Sequence, residues 1–323
     1  MAKPILVIGS VNLDLVASVP RIPIVGETVS GSGFEQFFGG KGANQAVSVA
    51  RLDYPVKMIA KVGDDDIGKR LREGLSAAGV DVTGVGTANG TSSGVALIAT
   101  DADGQNSIVI VPGANGTLLP LDIARFEEIL DSAGIILLQL EVPLQTVLYA
   151  VEMAYRKHIP VMLDPAPAQE LPPKLLLQVT WLTPNETETC TLCGIDAGAL
   201  SPSTVPQKAE ELLARGPKYV IVKLGSQGAY LAGRDGTREW IPAFKVRATD
   251  STAAGDAFNA ALAVALMQNK EPVEAARFAS AVAALSVTKK GAQPSMPTQE
   301  EVARFLKRAK TAGEPPLVAV REN

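Results

Sequence analysis

One stretch of this sequence decides the fold: Thr249-Asp250-Ser251-Thr252-Ala253-Ala254-Gly255-Asp256-Ala257-Phe258, in which small residues lead directly into an apolar helix pattern. Small residues allow a ligand to approach the backbone closely, and the free N–H groups of a helix start bind anions. Asp256 would lie in the first turn, where phosphate charge collects. Phosphoryl transfer uses such amides together with a carboxylate that accepts the hydroxyl proton. Asp256 could equally be a helix cap, and the segment alone leaves both interpretations open.

Outward from this stretch, apolar β-branched runs alternate with amphipathic segments along the chain. The predicted strands are Ile5–Ile8, Val56–Val62, Ile135–Leu140, Val161–Asp164, Trp181–Thr183 and Tyr219–Leu224. The predicted helices are Ala43–Leu52, Ile67–Ala78, Leu121–Leu130, Leu144–Lys157, Pro206–Arg215, Gly255–Gln268, Pro272–Thr288 and Gln299–Lys310, with a further helix after Asn185. Continuous apolar strands that alternate with helices predict a mostly parallel sheet covered on both faces. The predicted fold class is therefore a Rossmann-like, three-layer α/β/α domain.

Two segments interrupt this alternation. Residues 13–38 contain short alternating stretches without a helix pattern, and residues 94–112 read as a hairpin. We interpret both as antiparallel insertions that form a small β-sheet lid over the site. The large domain would then comprise residues 1–12, 39–93 and 113–312, and residues 313–323 would be a disordered tail.

Composition excludes several classes of function. The chain has 323 residues and a net charge of −4, without the basic excess of a nucleic-acid-binding protein. No apolar stretch approaches a membrane span or a signal peptide, so we expect a cytoplasmic protein without membrane contact. Cys190 and Cys193 fall in one predicted helix and lack further zinc ligands, since His158 is the only histidine. Any Ser-His-Asp arrangement would have to use His158, which sits near a helix end and favours a structural role.

Glycine fingerprints for nucleotides are absent, because the sequence has neither a Walker loop nor G-x-G-x-x-G after the first strand. A second glycine-rich segment, residues 39–45, enters a helix and suits contact with a polyhydroxylated ligand, or is a turn with a solvated Lys41. Asn12 and Asp14 follow the first strand, where ligands of open α/β sheets bind. They could bind sugar hydroxyls or simply form a turn.

Two more segments suit a nucleotide and its metal. Asn185 and Glu188 share a helix face, where they could orient water ligands of Mg²⁺. They also fit a capping box, and both interpretations can hold. The segment Lys223-Leu224-Gly225-Ser226-Gln227-Gly228 ends a buried strand in a glycine turn. It could form the wall of a nucleotide site or an ordinary hairpin.

Taken in order, these segments resemble the PfkB, or ribokinase, family of carbohydrate kinases over residues 7–305. The resemblance is carried by the signature regions Gly39–Ala50, with Gly26-Glu27-Thr28 before it, and Asp250–Phe258. Further family-like stretches are Gln139-Leu140-Glu141-Val142-Pro143, Asp164-Pro165-Ala166-Pro167-Ala168 and residues 287–295. The resemblance implies ATP-dependent phosphorylation of a small sugar, D-ribose at O5, with 2-deoxyribose or another furanose as alternatives.

The resemblance also implies roles for individual residues. Asp256 would be the general base, and the amides of Ala253, Ala254 and Gly255 an anion hole. The residues implied for the sugar hydroxyls are Asn12, Asp14, Gly40, Lys41, Asn44 and Glu141. Asn185 and Glu188 would organise Mg²⁺ and the phosphates, while Lys223, Leu224, Gly225, Ser226, Gln227, Gly228 and Ser280 would contact the nucleoside of ATP. The residues implied for an activating K⁺ are Asp250, Thr252, Ser286, Lys289, Gly291 and Ser295. The lid of such kinases pairs two subunits, which implies a homodimer.

Two positions depart from the family pattern. Ala253 stands where many members have glycine, and Ser280 replaces a larger side chain near adenine. Two hypotheses from other classes are a catalytically silent sugar-binding protein and a nicotinamide dehydrogenase, which would lack its glycine fingerprint here. Because a helix start favours a carboxylate, we also predict that the pKa of Asp256 is not raised.

Overall fold

The structure is a computed structural model that describes residues 2–101, 103 and 105–311. The predicted tail, residues 313–323, lies outside the described residues. The strands are β1 (Ile5–Ile8), β2 (Asn12–Ser18), β3 (Gly33–Gly39), β4 (Val56–Gly63), β5 (Asp81–Ala88), β6 (Gly94–Thr100), β7 (Asn106–Val111), β8 (Ile135–Leu138), β9 (Val161–Leu163), β10 (Trp181–Leu182), β11 (Tyr219–Lys223), β12 (Ala229–Gly233) and β13 (Arg238–Ile241). The α-helices are α1 (Lys41–Arg51), α2 (Asp66–Ala77), α3 (Pro120–Arg125), α4 (Glu127–Ser132), α5 (Leu144–Arg156), α6 (Pro173–Leu176), α7 (Glu186–Cys193), α8 (Val205–Ala214), α9 (Ala254–Met267), α10 (Pro272–Ser286) and α11 (Gln299–Thr311). Short 3₁₀ turns lie at Gly113–Thr117, Gly225–Gln227 and Gln293–Ser295.

The central sheet has nine strands in the order β13-β12-β11-β10-β9-β8-β1-β4-β5. All pairs from β11 to β5 are parallel, and β12 and β13 add an antiparallel edge. β1 lies between β8 and β4, so the chain reverses its direction of winding at β1. Ligands of such sheets bind at the carboxyl ends of the strands beside this reversal.

Two apolar cores cover the faces of this sheet. Ile5 and Val7 of β1 pack into the core formed with α1, α2, α9 and α10. Leu6 and Ile8, which point to the opposite face, pack into the core formed with α3, α5 and α8. The continuous apolar run of β1 thus reflects a strand buried on both faces, and the predicted three-layer α/β/α fold is confirmed.

A second sheet, the lid sheet, contains four strands in the order β3-β2-β6-β7. β2–β3 and β6–β7 are antiparallel hairpin pairs, as predicted. The two insertions join each other through a parallel contact, which the sequence did not predict, because β2 and β6 pair from Asn12 opposite Gly94 to Ser18 opposite Thr100. Both strands leave the central sheet in the same direction, from β1 and β5, so parallel pairing is what their common origin favours.

The predicted elements of the large domain are confirmed with small shifts at their ends. The predicted helix Leu121–Leu130 is wrong as one element, because the chain breaks at Phe126 into α3 and α4. The sequence did not predict β5, β12 and β13. β5 contains Gly84 and Gly86 and lacks the continuous apolar run by which buried parallel strands are recognised in a sequence, so it was not predicted.

Among the described residues, no helix combines the length and apolar character needed to cross a bilayer.

Candidate active site

Asp256 lies in the first turn of α9 and is almost fully buried against α1. Its Oδ2 accepts a hydrogen bond from Nδ2 of Asn44 at 3.0 Å, and its Oδ1 accepts one from Nε2 of Gln45 at 3.1 Å. A capping aspartate would bind backbone N–H groups of its own helix, but α9 begins at Ala254 with Ala253 as the N-cap. The side chain therefore bridges two helices and does not cap α9.

The pKa of Asp256 is raised from 3.8 to about 6, chiefly by burial. Lys41 and the two amide donors lower the pKa, while the neighbouring carboxylate of Asp164 raises it. The prediction of a pKa that is not raised is wrong, because the loss of water outweighs the field of the helix start. A carboxylate of this kind accepts a proton more readily than an exposed one.

The start of α9 is shaped by Ala253, which adopts a left-handed conformation with φ 59°. The first helical hydrogen bond runs from the N–H of Ala257 to the carbonyl of Ala253 at 2.9 Å. The N–H groups of Gly255 and Asp256 precede this bond and have no acceptor within the helix. The N–H of Ala254 is used locally, because it donates to the carbonyl of Ser251 at 3.2 Å.

A cation lies beside this helix start. Nζ of Lys223, at the end of β11, is 3.1 Å from Oδ1 of Asp164, and both side chains are nearly buried. A Cβ built on Gly255 would come 3.3 Å from Nζ of Lys223. The sequence placed Lys223 in the wall of a nucleotide site; Lys223 does line the cavity at this site, and its ammonium also lies beside Gly255 at the start of α9.

Asp164, Gln45 and Gln139 are the residues of this cluster that sequence reasoning missed as site residues. Gln45 Nε2 also lies 3.3 Å from Oδ2 of Asp164, and Gln139 Nε2 donates to Oε1 of Gln45 at 2.7 Å. All three lie in segments that carried the family resemblance. Their signal was available, because Gln139 and Asp164 are polar residues directly after the buried strands β8 and β9.

Asp14 and Asn12 both lie on β2 of the lid sheet, opposite the end of β3 that leads into α1. The pKa of Asp14 is raised to about 7 by burial first and then by the negative charges of Glu141 and Asp256. Gly39 on the neighbouring strand leaves room for Asp14, because a Cβ there would lie 2.2 Å from Oδ2. Asn12 is buried, and its Oδ1 accepts a hydrogen bond from Nδ2 of Asn115 at 2.7 Å.

Glu141 and Lys41 join the lid side to α1. Oε2 of Glu141 accepts hydrogen bonds from the N–H of Lys41 at 3.0 Å and from the hydroxyl of Ser10 at 2.5 Å. Burial would lower the pKa of Lys41, but Asp256 and the other surrounding carboxylates outweigh it and raise the pKa. Gly40, with φ 88°, allows this close packing, because a Cβ would lie 2.8 Å from the N–H nitrogen of Asn12.

A cavity of about 1220 Å³ opens beside the base. It is lined by Asp256, Lys41 and Lys223 and by residues of the segments predicted to hold ATP. Those residues include Asn185, Glu188, Gly225, Ser226, Gln227, Gly228 and Ser280. Leu224 is buried in the core and does not line the cavity. The hydroxyl of Ser280 donates to the carbonyl of Pro242 at 3.0 Å.

Asn185 and Glu188 form the predicted capping box of α7. The N–H of Glu188 donates to Oδ1 of Asn185 at 2.9 Å, and the N–H of Asn185 donates to Oε2 of Glu188 at 2.7 Å. Glu188 is nonetheless buried beside the cavity, and burial raises its pKa although Lys223 opposes the shift. No group of three or more His, Cys, Asp or Glu side chains in the described part of the chain could hold a metal by itself. A magnesium ion here would need phosphate and water ligands.

The residues predicted for K⁺ lie on two segments that meet. Oδ2 of Asp250 accepts from the N–H of Gly291 at 2.8 Å, and Oδ1 accepts from the N–H of Thr252 at 2.9 Å. These bonds outweigh burial and lower the pKa of Asp250. The hydroxyls of Ser286 and Ser295 donate to carbonyls three residues before them. The ammonium of Lys289 pairs with Glu301 and cannot ligate a cation, so only the carbonyl of Lys289 could contribute.

The free N–H groups at the start of α9, with the ammonium of Lys223 beside them and the carboxylate of Asp256 at the cavity wall, suit phosphoryl transfer. The chain belongs to the pfkB family of carbohydrate kinases, whose pattern it matches over residues 2–299.

Individual relatives agree with this assignment. The chain is 40% identical to ribokinase of Haemophilus influenzae over 309 residues, which cover 96% of this chain and 100% of the relative. It is also 40% identical to deoxyribokinase of Salmonella typhi over 303 residues, covering 94% and 98%. The structure of Arabidopsis thaliana ribokinase complexed with ribose and ATP superposes with a TM-score of 0.87 at 38% identity, covering 95% and 99% of the two chains.

Proposed function

We propose that this chain transfers the γ-phosphoryl group of ATP to O5 of D-ribose, giving ribose 5-phosphate and ADP. One observation carries the proposal: Asp256 lines the large cavity and is also hydrogen-bonded to Asn44, a residue of the sugar set. The same carboxylate therefore faces both reactants. Relatives named ribokinase and a neighbour complexed with ribose and ATP support the choice of substrates.

Asp256 takes the proton of the sugar hydroxyl as the bond between O5 and the γ-phosphorus forms. The bond from that phosphorus to its bridging oxygen breaks, and ADP leaves. The N–H groups of Gly255 and Asp256 and the ammonium of Lys223 stabilise the charge on the moving phosphoryl group. Ala253 and Ala254 shape this anion hole, in which the N–H of Ala254 is shared with Ser251.

The sugar is held between the lid sheet and α1. Asp14 and Glu141 accept hydroxyl hydrogen bonds, while Nδ2 of Asn12 and Nζ of Lys41 donate. Gly40 supplies a close backbone contact. Oδ1 of Asn44 is buried without a hydrogen-bond partner among the described residues, which fits an acceptor waiting for a sugar hydroxyl.

ATP lies in the cavity with its nucleoside along Gly225, Ser226, Gln227, Gly228 and Ser280. Leu224 supports this wall from the core. Glu188 would hold water ligands of Mg²⁺ through its carboxylate, and Asn185 would face the phosphates. A bound Mg²⁺ supplies charge neutralisation on the phosphates.

K⁺ fits the junction of the two segments through carbonyl oxygens, the donors that hard cations prefer. Residues 250, 252, 286, 289, 291 and 295 would contribute. Because this junction ends at the start of α9, the ion would stabilise the conformation of the anion hole without touching the sugar.

A homodimer forms through the lid sheet, residues 13–38 and 94–112. Every residue of β7 is exposed, including Ile108, Val109, Ile110 and Val111. Exposed apolar edge strands invite pairing with another chain. A second copy of the lid sheet would cover this surface.

2-Deoxyribose is the second candidate, because the deoxyribokinase and the ribokinase are equally identical to this chain. A coupled assay of ADP release across ribose, 2-deoxyribose and other pentoses decides between them. We expect the highest kcat/KM for ribose, and a higher value for another sugar would contradict the substrate. Sugar binding without ADP release would favour a catalytically silent protein.

A further inference from the structure

Gln45 is a buried residue of α1 without an assigned role, although its side chain contacts the base. Its Nε2 lies 3.1 Å from Oδ1 of Asp256 and 3.3 Å from Oδ2 of Asp164. An amide nitrogen carries two hydrogens, so a single group can satisfy both carboxylates. The side chain has no exposed surface, so solvent does not compete for either bond.

The orientation of this amide is set by its hydrogen-bond partners at both ends. Oε1 of Gln45 accepts from Nε2 of Gln139 at 2.7 Å. A reversed amide would place its oxygen against two acceptor-only carboxylates and its nitrogen against a donor. Oε1 of Gln139 packs against Gly9, where a Cβ would lie 2.0 Å from it, and has no hydrogen-bond partner among the described residues, so the carboxylates fix Gln45 and Gln45 fixes Gln139. The pair of glutamines therefore has one favourable arrangement.

We infer that Gln45 is the positioning residue of Asp256, hydrogen-bonded to Gln139 and linking the base to the Asp164–Lys223 pair. The inference rests on the proposed role of Asp256 as the base. Asn44 holds the second carboxylate oxygen at 3.0 Å, so adjacent residues of α1 fix both oxygens. A carboxylate with a fixed plane keeps its free lone pairs directed at one point, which proton transfer requires.

Charged groups surround Asp256 on several elements. Lys41 faces it from α1, Asp164 from the end of β9 and Asp14 from the lid sheet. Lys223 partly neutralises Asp164. Against this fixed background, the bond from Gln45 favours the ionised form of Asp256 and lowers its pKa. Loss of that donor should raise the pKa.

The substitution Gln45→Met tests the inference, because it removes both donors and preserves length and volume. The carboxyl carbon of Asp256 is followed by NMR in protein labelled at aspartate, and its signal is assigned by its loss in Asp256→Asn. We expect the titration midpoint to rise by about one pH unit, because a shift of that size corresponds to the loss of one hydrogen bond to a charged group. The acid limb of the kcat profile should move by the same amount, so that kcat is about tenfold lower at pH 5 but only about twofold lower at pH 7, with an unchanged KM for ATP.

Two further variants keep the test decisive. Gln139→Met does not touch Asp256 and should shift the midpoint in the same direction by a smaller amount. Ser48→Ala is the control, because it removes a buried hydroxyl of α1 that has no hydrogen-bond partner among the described residues. It should change neither the titration midpoint of Asp256 nor kcat. An unmoved midpoint in Gln45→Met overturns the inference; if that variant does not fold, an unmoved midpoint in Gln139→Met does so. The NMR titration needs no turnover, so a shifted midpoint in a protein that phosphorylates no sugar would contradict the proposed function alone.

Discussion

The central sheet and the lid sheet bury very different shares of their residues. β1 and β8 are buried on both faces, whereas β7 is exposed along its whole length. Asp256 lies on α9, a helix packed against the central sheet, and Asp14 lies on β2 of the lid sheet, yet burial raises the pKa of both. The comparison suggests a division of labour in which a fully packed core carries phosphoryl transfer and a thin sheet carries sugar recognition.

The most severe test of this division is Asp256→Asn in the core. The amide preserves shape but accepts no proton, so we expect kcat to fall by about 10²- to 10⁴-fold. Sugar binding by calorimetry should change little, because recognition belongs to the other region. The exposed Asp53→Asn is a matched control that should retain full activity. A variant at position 256 with most of its turnover would remove the base from the mechanism.

The corresponding change in the lid sheet is Asp14→Asn. We expect a rise of about tenfold or more in the KM for the sugar, the cost of losing a hydrogen bond to a charged group. The kcat at saturating sugar should fall much less. If kcat fell as far as in Asp256→Asn, the division between the two regions would be wrong.

Asp14→Asn should also change stability with pH. The folded pKa of about 7 exceeds the ordinary value of 3.8, so the folded state holds the proton more tightly than the unfolded state. The protonated side chain of Asp14 therefore makes its full contribution to the free energy of unfolding below about pH 4, and this contribution is lost as the pH rises towards 7. The variant escapes this loss, and its gain in Tm over the parent should be larger at pH 8 than at pH 5. Equal gains at both pH values would contradict the raised pKa.

A smaller effect is expected from the proposed K⁺ site near the start of α9. Replacement of K⁺ by tetramethylammonium at constant ionic strength should lower kcat several-fold, because the segments around Asp250 would lose the ion proposed to join them. The ADP-release assay with Na⁺ as a third condition provides the comparison. Equal rates in all three salts would remove the assignment of the K⁺ site.

The least effect on turnover is expected from Ile108→Lys on β7. The charge should weaken the pairing of lid sheets, and sedimentation equilibrium should show a shift from dimer to monomer. Leu121→Lys, which changes another exposed apolar residue, on α3 of the large domain, is the control and should leave the assembly intact. A monomeric parent protein would rule out the dimer.

The core was easier to predict from sequence than the lid, for a physical reason. Strands buried on both faces leave continuous apolar runs, so β1 and β8 were recognisable without any partner. The lid depends on pairing between distant segments, and its parallel β2–β6 contact left no local pattern. In the site, the motifs identified Asp256. Its raised pKa could not be predicted, because it results from the packing of α1 against the start of α9, which buries the carboxylate. The contact of Gln45 with two carboxylates likewise arises only from tertiary packing.

The parallel pairing of β2 and β6 also has a consequence for the order of folding. The two strands are separated along the chain by β3, α1, β4, α2 and β5, so their contact closes a long loop. Such non-local contacts form late, after nearer elements have brought the ends together. β1 and β5 must first take their places in the central sheet before the two hairpins can meet. During synthesis, all four lid strands and β1, β4 and β5 leave the ribosome before α9, so the surface proposed to bind the sugar can assemble before the helix start that carries Asp256 exists.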